Sequence, residues 1–145
     1  MMFGNEAATL DFGHCLAGLL RPGDVITLSG PLSAGKTTLV RGLLASLGHA
    51  GEVPSPSFAI VQPYEGLKLP VWHVDLYRIE SRDELAELGL DEIRSEGVLI
   101  VEWPEHAGPG MWPEALALSL NVLEDGARAL TAQVPAAWES RWPPQ

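Results

Sequence analysis

The segment from Gly30 to Thr37 constrains this chain more than any other part, because it reads Gly-Pro-Leu-Ser-Ala-Gly-Lys-Thr. It fits the pattern G-x-x-x-x-G-K-[S/T], and its context fits too, since a strand-like run at 24–29 precedes it and a helix-like run at 37–47 follows it. The glycines let backbone N–H groups point at phosphate oxygens, and the N-terminus of the following helix adds positive potential there. The sequence therefore predicts a loop that binds a nucleoside triphosphate with magnesium, in which Lys36 contacts the β- and γ-phosphates and the Thr37 hydroxyl binds the metal.

Two acidic residues stand where a second magnesium partner is expected, at the ends of apolar strands. Asp75 ends the run at 69–74, and Glu102 ends the run at 98–101. Such a carboxylate holds the ion directly, holds it through water, or orients the attacking water. Ser57 follows a loop that contains two prolines, and its hydroxyl could close on the γ-phosphate and the magnesium. An ordinary turn residue is an equal alternative for Ser57.

Composition narrows the classes of protein that this chain can represent. With 145 residues and 46% hydrophobic content it predicts one domain, 1–145, with a substantial core. The net charge of −10 argues against tight, direct binding of DNA or RNA. Cys15 is the only cysteine, which predicts a reducing, cytoplasmic setting. No signal peptide is expected at the N-terminus, and no apolar run reaches the roughly 20 residues that span a bilayer.

The order of predicted elements indicates an α/β fold. The predicted elements are a helix at 10–20 capped by Thr9, strands at 24–29, 58–64, 67–74, 97–103, 115–122 and 128–134, helices at 37–47 and 81–87, and a helical turn at 91–95. The turn Glu124-Asp125-Gly126 between the last two strands favours a hairpin. We therefore expect a P-loop NTPase-like domain with a mixed central sheet, helices on its faces and an antiparallel C-terminal hairpin. Residues 136–145, with Trp138 and Trp142 between prolines, fit no element and predict a loosely ordered tail.

Three functions remain open on these residues alone. The guanine-selecting pattern N-K-x-D is absent, which argues against a GTPase. An ATPase that acts on a partner enzyme is favoured. A small-molecule kinase would need a lid with arginines, yet the section available for one, 81–97, is acidic. A nucleotide-dependent binding module with negligible hydrolysis is the third alternative.

Four blocks of the sequence resemble one family, TsaE (also called YjeE), the bacterial P-loop ATPases needed to form threonylcarbamoyladenosine (t6A) at position 37 of tRNA. The blocks, with the family pattern after each, are Ser29-Gly30-Pro31-Leu32-Ser33-Ala34-Gly35-Lys36-Thr37-Thr38 (L-S-G-D-L-G-A-G-K-T-T), Val53-Pro54-Ser55-Pro56-Ser57-Phe58 (V-x-S-P-T-F), His73-Val74-Asp75-Leu76-Tyr77-Arg78 (H-x-D-L-Y-R) and Glu102-Trp103-Pro104-Glu105 (E-W-P-E). The resemblance spans Thr9 to Glu105. A lone P-loop is common to many families, but four blocks in this order are specific.

The resemblance implies a role for each matching residue. Asp75 is the Walker B acid, Ser57 replaces the family's switch threonine, and Glu102 matches the acid implicated in ATP hydrolysis. Thr9 matches a threonine near the nucleotide. The implied nucleotide-binding residues are Thr9, Gly30, Leu32, Ser33, Ala34, Gly35, Lys36, Thr37 and Thr38, the implied magnesium ligands are Thr37, Ser57, Asp75 and Glu102, and the implied catalytic residues are Lys36, Asp75 and Glu102.

The resemblance also implies partners. The family docks on a heterodimer of TsaB and TsaD, in which TsaD transfers the threonylcarbamoyl group, and hydrolysis is expected to be slow without them. Two positions depart from the family. Pro31 replaces a usual Asp, and Ser33 replaces a usual Gly, which adds a Cβ where backbone freedom is normal.

Overall fold

The fold is taken from a computed structural model, which describes residues 1–31, 34–53, 61–108 and 110–144, with the side chains of residues 82 and 91 left out. The strands are β1 (Met2–Phe3), β2 (Val25–Ser29), β3 (Val61–Tyr64), β4 (Val71–Asp75), β5 (Val98–Glu102), β6 (Leu116–Val122) and β7 (Arg128–Gln133). The helices are α1 (Glu6–Ala17), α2 (Lys36–Ser46), α3 (Arg82–Glu87), α4 (Leu90–Arg94) and α5 (Ala136–Glu139), with a 3₁₀ turn at Pro104–Ala107. No helix in these ranges is long and apolar enough to cross a membrane.

The seven strands form one mixed sheet in the order β1-β7-β6-β2-β5-β4-β3. The four central strands, β6, β2, β5 and β4, are parallel, whereas β3 pairs antiparallel with β4 at one edge and β7 and β1 pair antiparallel at the other. Parallel strands are covered on both faces, which explains why β2, β4 and β5 are buried along nearly their whole length. The predicted α/β fold with a mixed sheet and the C-terminal hairpin β6–β7 is confirmed.

Alternating residues of the central strands supply two separate cores. Val98 and Ile100 of β5 face a cluster that includes α1, α2 and Trp138, whereas Leu99 and Val101 face a cluster that includes α3 and α4. This alternation is the period of two that a strand imposes on its side chains. The helices therefore cover both faces of the sheet, as predicted.

Helices α1 and α2 cross at two glycines. A Cβ on Gly13 would lie 2.1 Å from the carbonyl oxygen of Leu39, and one on Gly42 would lie 2.2 Å from that of Leu10. Neither position can accept a larger residue without separating the helices. The absence of two side chains thus fixes α1 directly against α2.

Two predicted boundaries were wrong. Thr9 does not cap α1, because Asn5 precedes it, accepts a hydrogen bond from the Ala8 N–H at 2.9 Å, and is followed by an acidic first turn at Glu6. Strand β4 begins at Val71 rather than at residue 67, since Pro70 has no N–H to donate to a ladder. The start of the preceding predicted strand, at 58–60, lies outside the described residues.

Trp138 and Arg141 anchor the segment at 136–144 to the domain, which corrects the expectation of a loosely ordered tail. Trp138 is 1% exposed and joins the α1–α2 core. Arg141 donates to Asp24 at 2.7 and 3.1 Å and lies over the Trp138 ring, 4.0 Å from its centroid. The sequence was misleading because prolines flank both tryptophans, and prolines argue against a helix, whereas the structure has a single helical turn between them.

Candidate active site

The predicted phosphate-binding loop connects the carboxyl end of β2 to the first residue of α2. Gly30 and Gly35 both have positive φ values, of 140° and 102°. A Cβ on Gly30 would also lie 2.3 Å from the carbonyl oxygen of Leu120 on β6. Glycine is therefore required at Gly30 for space as well as for conformation. Leu32 and Ser33 lie outside the described residues, so the departure from the family at residue 33 has no structural account.

Lys36 provides a buried cation at the site. It is 5% exposed, and its Nζ donates to the carbonyl oxygen of Gly30 at 2.8 Å. The same Nζ lies 3.7 Å from Oε1 of Glu102 and 4.4 Å from the centroid of the Trp103 ring. The side chain thus turns back over the loop, between a carboxylate and an aromatic face that both favour a positive charge.

The two predicted carboxylates meet because their strands are neighbours in register. Asp75 ends β4, Glu102 ends β5, and the two are paired residues of the parallel ladder. Both are buried, at 6% and 3% exposure. Glu102 also pairs with Leu28 of β2, so it lies on the strand next to the phosphate-binding loop and Asp75 lies one strand further away.

Burial raises the pKa of Asp75, and the neighbouring Glu102 carboxylate adds to the rise. A hydrogen bond from the Tyr77 N–H at 2.8 Å opposes it, as do the nearby Lys36 and His73 side chains. The net direction is upward. A carboxylate in this position therefore favours a cation beside it.

His73 is a residue of the site to which the sequence assigned no role. It is fully buried, at 0% exposure, in the middle of β4. Its Nε2 lies 2.6 Å from Oε2 of Glu102. The histidine is visible in the third sequence block, but its contact with Glu102 depends on the pairing of β4 with β5.

Lys36, Asp75 and Glu102 line a cavity of about 580 Å³, within the usual range for a small-molecule site. Among the predicted residues, those that line it are Thr9, Gly35, Lys36, Thr37, Thr38, Asp75 and Glu102. Gly30 and Ala34 belong to the loop itself: Gly30 holds Lys36 through its carbonyl oxygen, and Ala34 is fully buried. Leu32, Ser33 and Ser57 fall outside the described residues.

Several lining residues had no predicted role. They are Asn5, Glu6, Tyr77, Arg78, Trp103, Gly126 and Arg128. Arg128 begins β7, and its Nε lies 3.8 Å from the position that a Cβ on Gly35 would take. It reaches the loop because β6 pairs with β2, which the sequence did not indicate. Arg41, which follows the loop in sequence, instead pairs with Glu6 at the surface.

An aromatic cluster borders the cavity on the side of the carboxylates. Trp103 has a φ of 59°, which is unusual for a residue other than glycine, and its ring centroid lies 5.0 Å from that of Tyr77 and 5.6 Å from that of His106. Tyr77 is 52% exposed. The cluster therefore presents aromatic surface at the mouth of the cavity.

The donors of the site fit magnesium together with a triphosphate. The Thr37 hydroxyl and the carboxylates of Asp75 and Glu102 are hard oxygen ligands, the type that Mg²⁺ takes. Within the described part of the chain, no group of three or more His, Cys, Asp or Glu side chains could hold a metal by itself. Magnesium commonly binds through one or two carboxylates and the phosphates of its substrate, and this donor set suits that mode.

Known proteins resemble the chain over most of its length. A sequence model of the family described as "Threonylcarbamoyl adenosine biosynthesis protein TsaE" matches residues 3–130. Two proteins named tRNA threonylcarbamoyladenosine biosynthesis protein TsaE are similar to it. The one from Streptomyces coelicolor is 50% identical over 114 residues, 77% of this chain and 77% of its own. The one from Bacillus subtilis is 38% identical over 128 residues, 88% and 80% of the two chains. The crystal structure of Bacillus subtilis YdiB superposes with a TM-score of 0.82 at 31% identity, covering 97% of this chain and 87% of that one.

Proposed function

The chain belongs to the TsaE family of t6A tRNA biosynthesis proteins, and on that premise we propose that it binds ATP with Mg²⁺ and hydrolyses it in the cytoplasm. One observation carries the proposal: Lys36, Asp75 and Glu102, which are far apart in sequence, converge on one cavity at the start of α2. A lysine and two strand-end carboxylates beside a glycine-rich loop are the parts that phosphoryl transfer from a nucleotide requires.

The loop and Lys36 would bind the phosphates. Backbone N–H groups at the start of α2 are unpaired within the helix and carry its positive potential. The Lys36 ammonium now contacts the carbonyl oxygen of Gly30, and a phosphate oxygen would offer it a charged partner in place of a neutral one. Thr9, from α1, and Thr38 would contact the nucleotide from the wall of the cavity.

Thr37 and Asp75 would hold the magnesium ion, with Glu102 and, by the resemblance, Ser57 completing its environment. The ion neutralises charge on the β- and γ-phosphates. It is also needed for electrostatic reasons, since the buried carboxylates of Asp75 and Glu102 would otherwise repel a triphosphate in the same cavity. Glu102 is the acid closest to the loop, and we assign it the orientation of the attacking water.

Three substitutions test the proposal, on the purified protein and in cells. Lys36→Ala should abolish ATP binding or hydrolysis and t6A formation in cells, whereas Lys68→Ala, at the exposed second lysine, should leave both within about twofold. Asp75→Asn should lower magnesium-dependent hydrolysis more than nucleotide binding, because it removes a metal ligand and keeps the shape of the side chain. Survival of t6A in cells that carry Lys36→Ala would mean that the ATPase is not the function. Equal loss of binding and hydrolysis in Asp75→Asn would make that residue structural.

The partners proposed for this activity are TsaB and TsaD. The net charge of −10 would let an acidic face dock on basic partner surfaces and argues against tight binding of the tRNA itself. We expect slow hydrolysis alone and faster hydrolysis with TsaB–TsaD, since a group supplied in trans can add about 10³- to 10⁵-fold in such reactions. Pull-down with and without ATP, followed by measurement of phosphate release, tests this. Equal turnover with and without the partners would contradict it.

The same assays separate the two alternatives. A small-molecule kinase would yield a phosphorylated product other than inorganic phosphate. A binding module would bind its partners in an ATP-dependent manner, and its Glu102→Gln variant, which cannot hydrolyse ATP, would still support t6A formation. We expect neither result.

A further inference from the structure

His73 is a buried polar side chain beside the site, and the proposed function gives it no part. It lies between Gln62 of β3 and Ile100 of β5 in the sheet, at 0% exposure. Alternation along β4 places it on the same face as Asp75, two residues away. An imidazole in such a position is costly unless its nitrogens are hydrogen-bonded.

The two oxygens of the Glu102 carboxylate have different partners. Oε2 lies 2.6 Å from His73 Nε2, and Oε1 lies 3.7 Å from Lys36 Nζ at the cavity. Because an ionised carboxylate only accepts hydrogen bonds, Nε2 carries the hydrogen and donates it. One oxygen of Glu102 is thus anchored inside the sheet, and the other is presented to the cavity.

From this geometry we infer that His73 is a positioning residue, which acts through Glu102 by fixing its carboxylate so that Oε1 faces the magnesium ion and the attacking water. The inference rests on the proposed function, in which Glu102 serves those two groups. A glutamate has three rotatable bonds, and holding one oxygen removes most of that freedom before a ligand arrives. His73 itself touches neither nucleotide nor metal in this assignment.

The second nitrogen of the ring argues against a role in packing alone. Nδ1 of His73 is buried and has no hydrogen-bond partner among the residues that the structure describes. A leucine would fill the same space without leaving a polar atom unpaired. The bond to Glu102 is what a histidine supplies at this position and an apolar residue does not.

Three substitutions at this one position separate the hydrogen bond from the packing. Glutamine places its amide N–H near the position of Nε2, asparagine places it near Nδ1, and leucine removes it. Changing a group that orients a metal ligand typically costs about 10- to 100-fold in metal affinity or activity. We therefore expect His73→Leu and His73→Asn to lower both the Mn²⁺ affinity of the ADP complex and the kcat at saturating Mg²⁺ by about that factor, and His73→Gln to stay within about threefold of the wild type. Binding of ADP in EDTA should change by less than about twofold, because His73 does not contact the phosphate loop in this assignment.

The decisive measurement uses Mn²⁺ as the probe, on the full-length protein saturated with ADP, with free Mn²⁺ followed by electron paramagnetic resonance. His73→Leu is compared in the wild-type background and in Glu102→Gln. If His73 acts through Glu102, its effect on Mn²⁺ affinity falls to less than about twofold once Glu102 is changed. An equal loss in both backgrounds, or wild-type affinity in both His73→Leu and His73→Asn, would overturn the inference.

Thermal unfolding first establishes which variants are folded. Should His73→Leu fail to fold, His73→Gln is compared with His73→Asn, which carry the same amide near Nε2 and near Nδ1 respectively, and thermal unfolding accounts for the methylene group by which they also differ. Failure of the wild type to bind ADP and Mn²⁺ would overturn the proposed function together with this inference. If the wild type binds ADP and Mn²⁺, and all three His73 variants bind Mn²⁺ with the same affinity as the wild type, the inference alone would be overturned.

Discussion

Trp138 provides a stringent test of the structure, because it lies in the part of the chain that the sequence suggested was loosely ordered. It is among the largest fully buried side chains, at 1% exposure, and the guanidinium of Arg141 packs on its ring. Replacing it with alanine would remove the indole from the α1–α2 core and leave Arg141 without its aromatic partner. The expected result is a large loss of stability from a position outside the candidate active site.

The size of the loss follows from the burial. Truncation of a buried tryptophan to alanine costs about 3–5 kcal/mol. For 145 residues, an unfolding entropy of about 2.1 cal/mol/K per residue gives about 0.3 kcal/mol/K for the whole domain. Trp138→Ala should therefore lower Tm by about 10 to 16 °C.

Differential scanning calorimetry measures this change, and Trp142→Ala is the matched control. Trp142 is in the same tail and packs edge-on against Phe12, with ring centroids 6.1 Å apart, but it is only partly buried, so a smaller drop in Tm is expected. ATP hydrolysis well below Tm should stay within about twofold of the wild type in both variants, since no tail residue is among those that line the cavity in the described structure. A drop below about 3 °C for Trp138→Ala, or equal drops for the two variants, would refute the packing described for the tail.

Three further substitutions test the site itself. Gly30→Ala should weaken ATP binding by at least about tenfold, whereas the control Gly48→Ala should not. Both glycines have positive φ, but only a Cβ on Gly30 would meet a backbone oxygen, at 2.3 Å. Titration with a fluorescent nucleotide compares the two variants. Burial raises the pKa of Asp75, so the folded protein binds the proton of this carboxyl group more tightly than the unfolded chain does. The free energy of unfolding therefore falls as the pH rises from the usual pKa of 3.8 through the pKa in the folded protein. Asp75→Asn should therefore raise the Tm of the nucleotide-free protein more at pH 7.5 than at pH 4.5, and a gain that is the same at both would contradict this. Arg128→Ala should weaken ADP binding by about tenfold, as loss of a charged hydrogen bond implies, while Arg94→Ala, on the opposite face of the sheet, should leave calorimetric binding unchanged.

The local parts of the fold could be predicted from the sequence because local chemistry determines them. The turn at residues 124–126 predicted the hairpin of β6 and β7, and a helix was predicted at 81–87, where the Ser81 hydroxyl accepts from the Glu84 N–H at 3.2 Å and caps α3. The phosphate-binding loop was predicted by its glycines. Thr9 was wrongly taken as a cap because Asn5 offers an equivalent oxygen four residues earlier.

The strand order could not be read from the sequence, and the parts of the site that depend on it were missed. His73 meets Glu102 only because β4 pairs with β5, and Arg128 reaches the loop only because β6 pairs with β2. Such pairings depend on packing between distant segments rather than on local propensity. Asp75 and Glu102 could be proposed from their place at the ends of apolar runs, whereas their direct register required the structure.

The glycine crossing of α1 with α2 constrains one side of the cavity. Thr9 belongs to α1 and Lys36 to α2, and with Gly13 and Gly42 in backbone contact with the opposite helix, one cannot move outward without carrying the other. The opposite side is built from Tyr77 and Trp103, in the connections that follow β4 and β5. The crossing therefore sets the spacing between Thr9 and Lys36, so that a nucleotide between α1 and α2 would meet the two residues at a fixed separation.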